Sequence, residues 1–341
     1  MLRSLRFLAV TMMTVSALLL LLGTAAPGHA ELSEISVARQ PGIGYLPIAI
    51  MESEHLLEKH AKSAGLGDLK VNYVLFSNGS AMIDAIFSGS LTVATSGLGP
   101  FVITWAKSRG SFDVAGISSM SAMPLLLLSR NPSVKSVKDF TEKDRIAMPA
   151  VKVSYQAQLL QMAAEQAFGV GQHGKLDERT VGMSHPDAVV SLSNSASDIN
   201  AHFSAAPYQY LQLKDPNIHQ VLNSFDVMGG PTSFITAWGT KKFHDENPKL
   251  YKAFVAALEE AITLINKDKK WAAKTYLAVS KDKESAEQLM EALNNPQVQF
   301  TSTPQNVKKY ADFLSRIGTI KVKPDSWKDF YFDNVHDKAG S

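Results

Sequence analysis

Ile35-Ser-Val-Ala-Arg39 predicts a β-strand, and Gln40-Pro-Gly-Ile-Gly-Tyr-Leu-Pro47 predicts the loop that joins it to a helix through residues 51–62. A second β-rich run, Leu69-Lys-Val-Asn-Tyr-Val-Leu-Phe76, follows that helix. A strand, a helix and another strand in this order are typical of two parallel strands joined by a crossover helix.

The same alternation continues further along the chain. Ser77-Asn78-Gly79 opens a predicted helix that stops at Gly89, a residue able to adopt the left-handed conformation. Residues 91–95 and 114–117 predict two more strands, with a helix around residues 101–107 between them. This β-α-β-α-β order predicts the α/β class, with a parallel sheet covered by helices on both faces.

The pattern then restarts after Pro124. A second set of strands is expected at residues 125–128, 145–148, 180–183 and 199–203, with helices at residues 155–168 and from Pro186. Residues 233–238 predict a further strand that leads into a helical tail, whose helices are expected to start at Asn247-Pro248 and Thr303-Pro304. Two α/β units in series plus this tail predict two lobes joined by two crossings, near residues 122–124 and 230–232. A ligand cleft is expected between the lobes.

The N-terminus has the three parts of a secretory signal peptide. Arg3 and Arg6 precede an apolar run, and small residues lead to Ala30, after which we expect cleavage. The alternative, an uncleaved membrane anchor, would need about 20 apolar residues, more than this run has. Residues 1–30 are therefore the predicted signal peptide, residues 31–122 and 231–341 the first lobe, and residues 123–230 the second lobe. The sequence predicts a periplasmic protein.

Composition excludes several classes of protein. There is no cysteine, which rules out disulfides, thiolate metal sites, cysteine nucleophiles and a lipid attached to cysteine. A formal net charge of +2 with scattered Lys and Arg makes nucleic acid an unexpected partner. Residues 169–174 match GxGxxG but follow a helix instead of a strand, so they do not predict a dinucleotide site. The chain has no GxSxG, HExxH or Walker motif. We expect no enzyme activity, no cofactor and no metal.

Polar residues collect where predicted strands end, the place where ligands of open α/β sheets bind. The candidate ligand-binding residues are Arg39, Gln40, Tyr45, Asn78, Gly79, Ser80, Thr95, Ser96, Ser154, Tyr155, His202 and Ser204. Each has an alternative structural role. Ser154 can cap a helix, the tyrosines can pack in the core, Arg39 can pair with a local acid, and His202 can be a hydrogen-bonded sheet residue.

Several motifs along the mature chain belong to a known pattern. They are Gly44-Tyr45-Leu46-Pro47, Asn78-Gly79-Ser80, Thr95-Ser96-Gly97, Ser136-Val137-Lys138-Asp139-Phe140, Arg145-Ile146-Ala147, Gly230-Pro231-Thr232, Lys242-Phe243 and Asn247-Pro248 with the helix after it. With these the chain resembles the periplasmic solute-binding proteins of ABC importers for nitrate, taurine and aliphatic sulfonates, which are related to binders of thiamine-pyrimidine precursors.

The resemblance implies a type II periplasmic binding fold and a monomer that delivers a small organic anion to an ABC permease and its ATPase. The chain departs from the sulfonate-binding pattern at Ala205-Ala206, and at Arg39, where relatives often have an aromatic residue. A pyrimidine-precursor binder, an enzyme on the same fold and a sensory module remain alternatives.

We expect the anion to be held by Arg39 and by the helix start at Asn78-Gly79-Ser80. Tyr45 and Tyr155 are expected to cover its apolar part from opposite lobes. Ser96, Ser154 and His202 are expected to orient it.

Overall fold

The strands divide between two lobes in the computed structural model, which describes residues 30–280 and 285–341. They are β1 (Glu34–Arg39), β2 (Lys70–Leu75), β3 (Ala94–Gly97), β4 (Ala115–Ala122), β5 (Leu126–Ser129), β6 (Ile146–Met148), β7 (Thr180–Gly182), β8 (Ala201–Ser204), β9 (His219–Asn223) and β10 (Ser233–Gly239). The first lobe is built on β1–β4 and β10, and the second lobe on β5–β9. The predicted signal peptide lies, apart from Ala30, outside the described residues.

Helices cover both sheets. The α-helices are α1 (Leu46–Ser53), α2 (Leu56–Ser63), α3 (Gly79–Phe87), α4 (Leu98–Lys107), α5 (Tyr155–Phe168), α6 (His185–Ser193), α7 (Tyr208–Gln212), α8 (Ser224–Met228), α9 (Lys241–Glu246), α10 (Pro248–Lys267), α11 (Lys269–Ser280), α12 (Ala286–Asn294) and α13 (Val307–Arg316). Short 3₁₀ turns lie at Ile43–Tyr45, Val137–Asp139, His173–Arg179, Trp327–Phe330 and Asp333–Val335. Within the described ranges, none of the helices combines the length and the apolar character of a membrane span.

In the first lobe a two-stranded sheet, β2-β1, and a three-stranded sheet, β3-β10-β4, lie side by side and together form the first sheet, of order β2-β1-β3-β10-β4. Strands β1 and β2 are parallel, and a parallel bridge from Val37 to Val93 joins β1 to the segment leading into β3. Strand β10 runs antiparallel to β3 and β4, between which it lies. The predicted α/β class is confirmed, but the expected all-parallel sheet is wrong, because the last strand of the lobe enters it in the opposite direction.

The second sheet repeats this arrangement in the order β7-β6-β8-β5-β9. Strands β6, β7 and β8 are parallel, and β5 runs antiparallel to β8 and β9. The chain passes from the first sheet to the second at residues 123–125 and returns at residues 229–232. Two mixed sheets of the same order, linked by these two connections, give the two α/β lobes.

Local differences from the sequence-based expectations have local causes. The helix expected through residues 51–62 is broken at His55, which has a positive φ of 49°. The final helix begins at Val307, not at Pro304, because Asn306 before it takes a left-handed conformation. Strand β3 starts at Ala94, three residues later than predicted. Strand β9, which pairs with β5, was not expected.

Helix α10 is capped by a residue far from it in sequence. Asn247 precedes the helix as predicted, but its side chain accepts from Leu32 N at 2.8 Å and donates to Phe243 O at 3.1 Å. The Glu31 carboxylate accepts instead from the amides of Lys249 (3.1 Å) and Leu250 (2.7 Å). The first residue after the predicted cleavage point therefore ties the start of the chain to the helical tail.

Candidate functional site

A small cavity lies where the two lobes meet. Its lining residues are Gln40, Pro41, Gly42, Tyr45, Gly79, Gly97, Pro100, Pro149, Ser154, Tyr155, Gln156, His185, Ala205, Ala206 and Phe234. Seven of them end or directly follow strands β1, β3, β6 and β8, at the edge where α/β sheets bind ligands. The cavity encloses about 30 Å³, and a water molecule needs at least about 10–15 Å³. The space therefore admits two or three water molecules.

The lobes are in direct contact around this cavity. Ile43 N in the first lobe donates to Ala206 O in the second at 3.2 Å. A Cβ atom on Gly99 would lie 2.4 Å from Val153 O, so only a glycine lets the start of α4 approach α5 this closely. Asn295 in the tail donates to the Tyr210 hydroxyl at 2.9 Å. The structure is a closed form of the cleft.

Contacts between the lobes continue away from the cavity, along α5 and α13. The Arg316 guanidinium forms an ion pair with Glu165, and this hydrogen bond is the main reason why the pKa of that carboxyl is lowered. The Lys309 ammonium donates to Met228 O at 2.5 Å, and the Tyr310 hydroxyl donates to Gln158 Oε1. These bonds all join the tail to the second lobe.

The cavity combines helix starts with an uncharged lining. Five helices, α1, α3, α4, α5 and α6, begin there. The lining contains the N-cap or the first residue of each of them, namely Tyr45, Gly79, Gly97, Tyr155 and His185. A helix N-terminus carries partial positive charge and N–H groups free to donate, which favours anions. The lining contains no Asp, Glu, Lys or Arg side chain. In residues 30–280 and 285–341, no His, Asp and Glu side chains form a group suited to a metal ion.

Two histidines link this lining to the interior of the second lobe. His185 Nδ1 lies 2.8 Å from His202 Nε2, and the second ring nitrogen of His202 lies 3.0 Å from Gln212 Oε1. Burial lowers the pKa of His185 to about 4. Burial, together with the neighbouring His185, lowers the pKa of His202 well below its ordinary value. Both rings are therefore neutral near pH 7.

The structure brings five of the predicted site residues to the cavity: Gln40, Tyr45, Gly79, Ser154 and Tyr155. Gln40 Nε2 donates to the Tyr45 hydroxyl at 2.5 Å. Ser154 also caps α5, since its Oγ accepts from Ala157 N at 3.2 Å and donates to Ala150 O at 2.6 Å. Burial raises the pKa of the Tyr45 and Tyr155 hydroxyls, so both remain protonated.

Arg39 lies elsewhere. Its Nε donates to Glu52 Oε2 at 3.2 Å, and its side chain is 13% exposed. Glu52 is on α1, one helix after the loop, and Arg39 is not among the residues that line the cavity. The local ion pair, the alternative role considered for this residue, is the one that the structure shows.

Four more predicted residues hold the first lobe together outside the lining. Asn78 caps α3, its Oδ1 accepting from the amides of Ser80 (3.0 Å) and Ala81 (3.1 Å). Thr95 Oγ1 donates to Ala38 O at 2.6 Å. Ser96 Oγ accepts from the Trp238 indole at 3.0 Å. The Ser80 amide expected to bind an anion thus already has a partner.

His202 and Ser204 are buried on β8 behind the lining. Both ring nitrogens of His202 have partners, as expected for a hydrogen-bonded sheet histidine. Ser204 Oγ has no hydrogen-bond partner among the described residues.

Part of the lining was not predicted from the sequence. His185 and Gln156 are its additional polar side chains, and Gly97, Pro100 and Phe234 are among its apolar or small residues. His185 follows the cap Ser184 just after strand β7, so the rule that selected Ser154 would also have found it. Phe234 lies on β10, whose position between β3 and β4 no local pattern reveals.

Comparisons with known proteins identify the fold. The sequence matches no model of a known family and has no significant match among curated proteins. The aliphatic sulphonate binding protein SsuA from Escherichia coli superposes with a TM-score of 0.65 at 17% identity, covering 89% of this chain and 93% of that one. SsuA from Xanthomonas axonopodis pv. citri, bound to MOPS, gives 0.67 at 15% identity, over 87% and 96% of the two chains.

A nitrate-binding protein has a similar structure. NrtA from Synechocystis PCC 6803 gives a TM-score of 0.68 at 14% identity, covering 88% of this chain and 84% of that one. All three proteins are described as binding proteins, and two of them as periplasmic. Together with the two mixed sheets and the closed cleft, these matches show that the chain has the α/β fold of the periplasmic binding proteins.

Proposed function

We propose that this protein is the substrate-binding component of an ABC importer, which captures a small organic anion between its lobes and delivers it to a permease and its ATPase. The cavity enclosed by both lobes is the observation that carries this proposal. A site shared by two bodies stabilises their closed arrangement whenever a ligand contacts both. A permease could then distinguish the loaded protein by its shape. We expect the protein to act as a monomer.

The choice of an anion rests on the electrostatics of the lining. Five helix starts lie at the cavity, and no carboxylate there opposes a negative charge. The matched structures include proteins named for binding sulfonates and nitrate. In our proposal Gln40, Ser154, Gln156 and His185 orient the anion, while aromatic rings cover any apolar part. Arg39 has no part in it, because Glu52 already neutralises its charge.

Binding of such an anion requires the lobes to open. A cavity of about 30 Å³ is smaller than an organic sulfonate, so the ligand enters an open form and the cleft closes afterwards. We place the hinge at the connections 123–125 and 229–232, and retain residues 31–122 with 231–341 and residues 123–230 as the two lobes. Small-angle scattering is expected to show compaction on ligand binding.

We also propose export to the periplasm and cleavage after Ala30. The contacts of Glu31 and Leu32 with the start of α10 support this, because the chain is anchored from the first residue of the processed protein. Binding is proposed instead of catalysis because the lining offers no carboxylate or amine for acid–base chemistry, and His185 is held neutral.

The test begins with the processed protein purified from a periplasmic extract. Native mass spectrometry identifies any small molecule that co-purifies, and calorimetry measures binding of nitrate, taurine, ethanesulfonate and a neutral hydroxymethylpyrimidine. We expect one of the anions to bind and the pyrimidine to remain unbound. Tight binding of the pyrimidine, conversion of any of these compounds, or recovery of intact Met1 in the membrane fraction would contradict the proposal.

A further inference from the structure

Four side chains form a continuous row from the cavity into the second lobe. Gln156 Nε2 lies 3.2 Å from His185 Nε2, His185 Nδ1 lies 2.8 Å from His202 Nε2, and His202 Nδ1 lies 3.0 Å from Gln212 Oε1. Gln156 and His185 line the cavity, whereas His202 and Gln212 are buried and do not. We call these four residues the Gln–His row.

The hydrogen bonds of the row all run in one direction. Gln212 Oε1, which only accepts, is the atom beside His202 Nδ1, so in this arrangement His202 carries its proton on Nδ1. His202 Nε2 then accepts from His185 Nδ1–H, and His185 Nε2 accepts from the Gln156 amide. Since each neutral ring carries one proton, both histidines are in the same tautomer, Nδ1–H. In this direction the Oε1 atom of Gln156 remains available to accept a hydrogen bond from a ligand in the cavity, because it accepts none from any described residue.

The same heavy atoms support the opposite direction. If the carboxamides of Gln156 and Gln212 each turn by half a revolution, Gln212 donates to His202 Nδ1, His202 Nε2–H donates to His185 Nδ1, and His185 Nε2–H donates to Gln156 Oε1. Both histidines then carry the proton on Nε2. Gln156 now offers its NH₂ group to the cavity.

The two directions have the same number of hydrogen bonds. Gln212 Nε2 has no partner in the observed direction, and the reversed direction leaves Gln212 Oε1 without one instead. The free energies of the two directions are therefore close. One additional hydrogen bond from a ligand is enough to favour one direction over the other.

We propose that the Gln–His row determines the hydrogen-bonding specificity of the cavity, and that an anion selects the direction in which Gln156 presents its NH₂ group. This inference rests on the proposed function, since it assumes an anion in the cleft. An anion oxygen beside Gln156 can only accept, so it is repelled by Oε1 and bound by Nε2–H. A ligand with a donor at the same place keeps the observed direction. His202 and Gln212 act as positioning residues, because they reach the ligand only through the two others.

Two-bond ¹H–¹⁵N correlation spectra of the histidine rings test the proposal directly. In the unliganded protein we expect both His185 and His202 in the Nδ1–H form. Saturation with ethanesulfonate is expected to convert both to the Nε2–H form. One ring in each form, or two rings that stay Nδ1–H in the complex, would overturn the proposal.

Two variants test the row further, one of them without any ligand. In Gln212→Met the Nδ1–H of His202 loses its acceptor, so we expect His185, which Gln212 does not touch, to change to Nε2–H in the unliganded protein. An unchanged His185 overturns the coupling. Gln156→Met is expected to weaken ethanesulfonate binding about 10- to 150-fold, the effect of one hydrogen bond to a charged group. Unchanged affinity removes Gln156 from the contact.

The matched control is Gln161→Met, on the same helix but bonded to Asp177. It is expected to leave both the tautomers and the affinity unchanged. If the wild-type protein binds none of nitrate, taurine and ethanesulfonate in calorimetry, that result contradicts the proposed function, while the Gln212→Met spectrum still decides whether the row is coupled.

Discussion

Closure of the cleft depends on a glycine at the contact between α4 and α5. A Cβ atom at Gly99 would lie 2.4 Å from Val153 O, 2.7 Å from Gln158 Oε1 and 2.8 Å from Tyr155 N. Gly99 belongs to the first lobe and the three atoms to the second, so the clash exists only when the lobes are closed. Gly99→Ala therefore raises the free energy of the closed form and leaves the open form unaffected.

The size of the effect follows from the overlap. An ordinary contact needs about 3.4 Å or more, so α4 must retreat by roughly 1 Å from backbone atoms that cannot turn away. Overpacking of this kind costs about 1–3 kcal/mol, and here all of it falls on the ligand-bound state. We expect the dissociation constant of the native ligand to rise about 5- to 150-fold.

Calorimetry and thermal unfolding of the unliganded protein together test this expectation. Gly116→Ala is the matched control, because its Cβ would lie 2.4 Å from Tyr331 Cδ1 within the first lobe. Gly116→Ala is expected to lower the melting temperature with little effect on affinity. Gly99→Ala is expected to lower the affinity with little effect on the melting temperature. Unchanged affinity in Gly99→Ala, or a loss of stability as large as that of the control, would refute the reasoning.

Three further predictions concern capping, pH and Arg39. Glu31→Ala, made in the processed protein, removes the carboxylate that caps α10 and is expected to lower the free energy of unfolding by about 1 kcal/mol in urea denaturation; an unchanged midpoint contradicts the capping role. Because the pKa of His185 is lowered to about 4 and that of His202 is also lowered, the unfolded chain takes up more protons below pH 6.5. The free energy of unfolding is therefore highest above pH 6.5, and it falls by about 1.4 kcal/mol per pH unit per histidine as the pH drops towards 4. A His202→Phe variant with the same pH dependence would show that His202 does not contribute. Arg39→Ala is expected to change ligand affinity by less than about 2-fold and the free energy of unfolding by up to about 1 kcal/mol, since it breaks only the ion pair with Glu52. A large loss of affinity at unchanged stability would show that Arg39 contacts the ligand.

Most elements of the fold were predictable from local patterns. Helices α3 and α5 start at Asn78 and Ser154 as expected, because each cap accepts hydrogen bonds from its own first turn. The direction and partners of β10 were not predictable, because a buried strand has the same composition whether its neighbours are parallel or antiparallel. The cap of α10 by Glu31 also joins residues more than two hundred positions apart.

The candidate site was predicted in outline only. Positions just after strands marked Gln40, Tyr45, Ser154 and Tyr155, which line the cavity, because the edge of a sheet follows from the order of its elements. The direction in which a side chain points could not be predicted from its position at the end of a strand. Arg39 ends β1 just before Gln40, yet its partner Glu52 comes from the helix after the loop. The charge of Arg39 was one reason to expect an anion contact there, and the ion pair of Arg39 with Glu52 is visible only in three dimensions.

The central place of β10 in the first sheet also affects the order in which the protein can fold. Chains are synthesised from the N-terminus, and residues 126–223 contain all five strands of the second sheet without interruption. Strands β3 and β4 instead face an empty position until residues 233–239 arrive. The lobe that contains the beginning of the chain is thus the last to be completed, and until then its two open strand edges need protection from other chains.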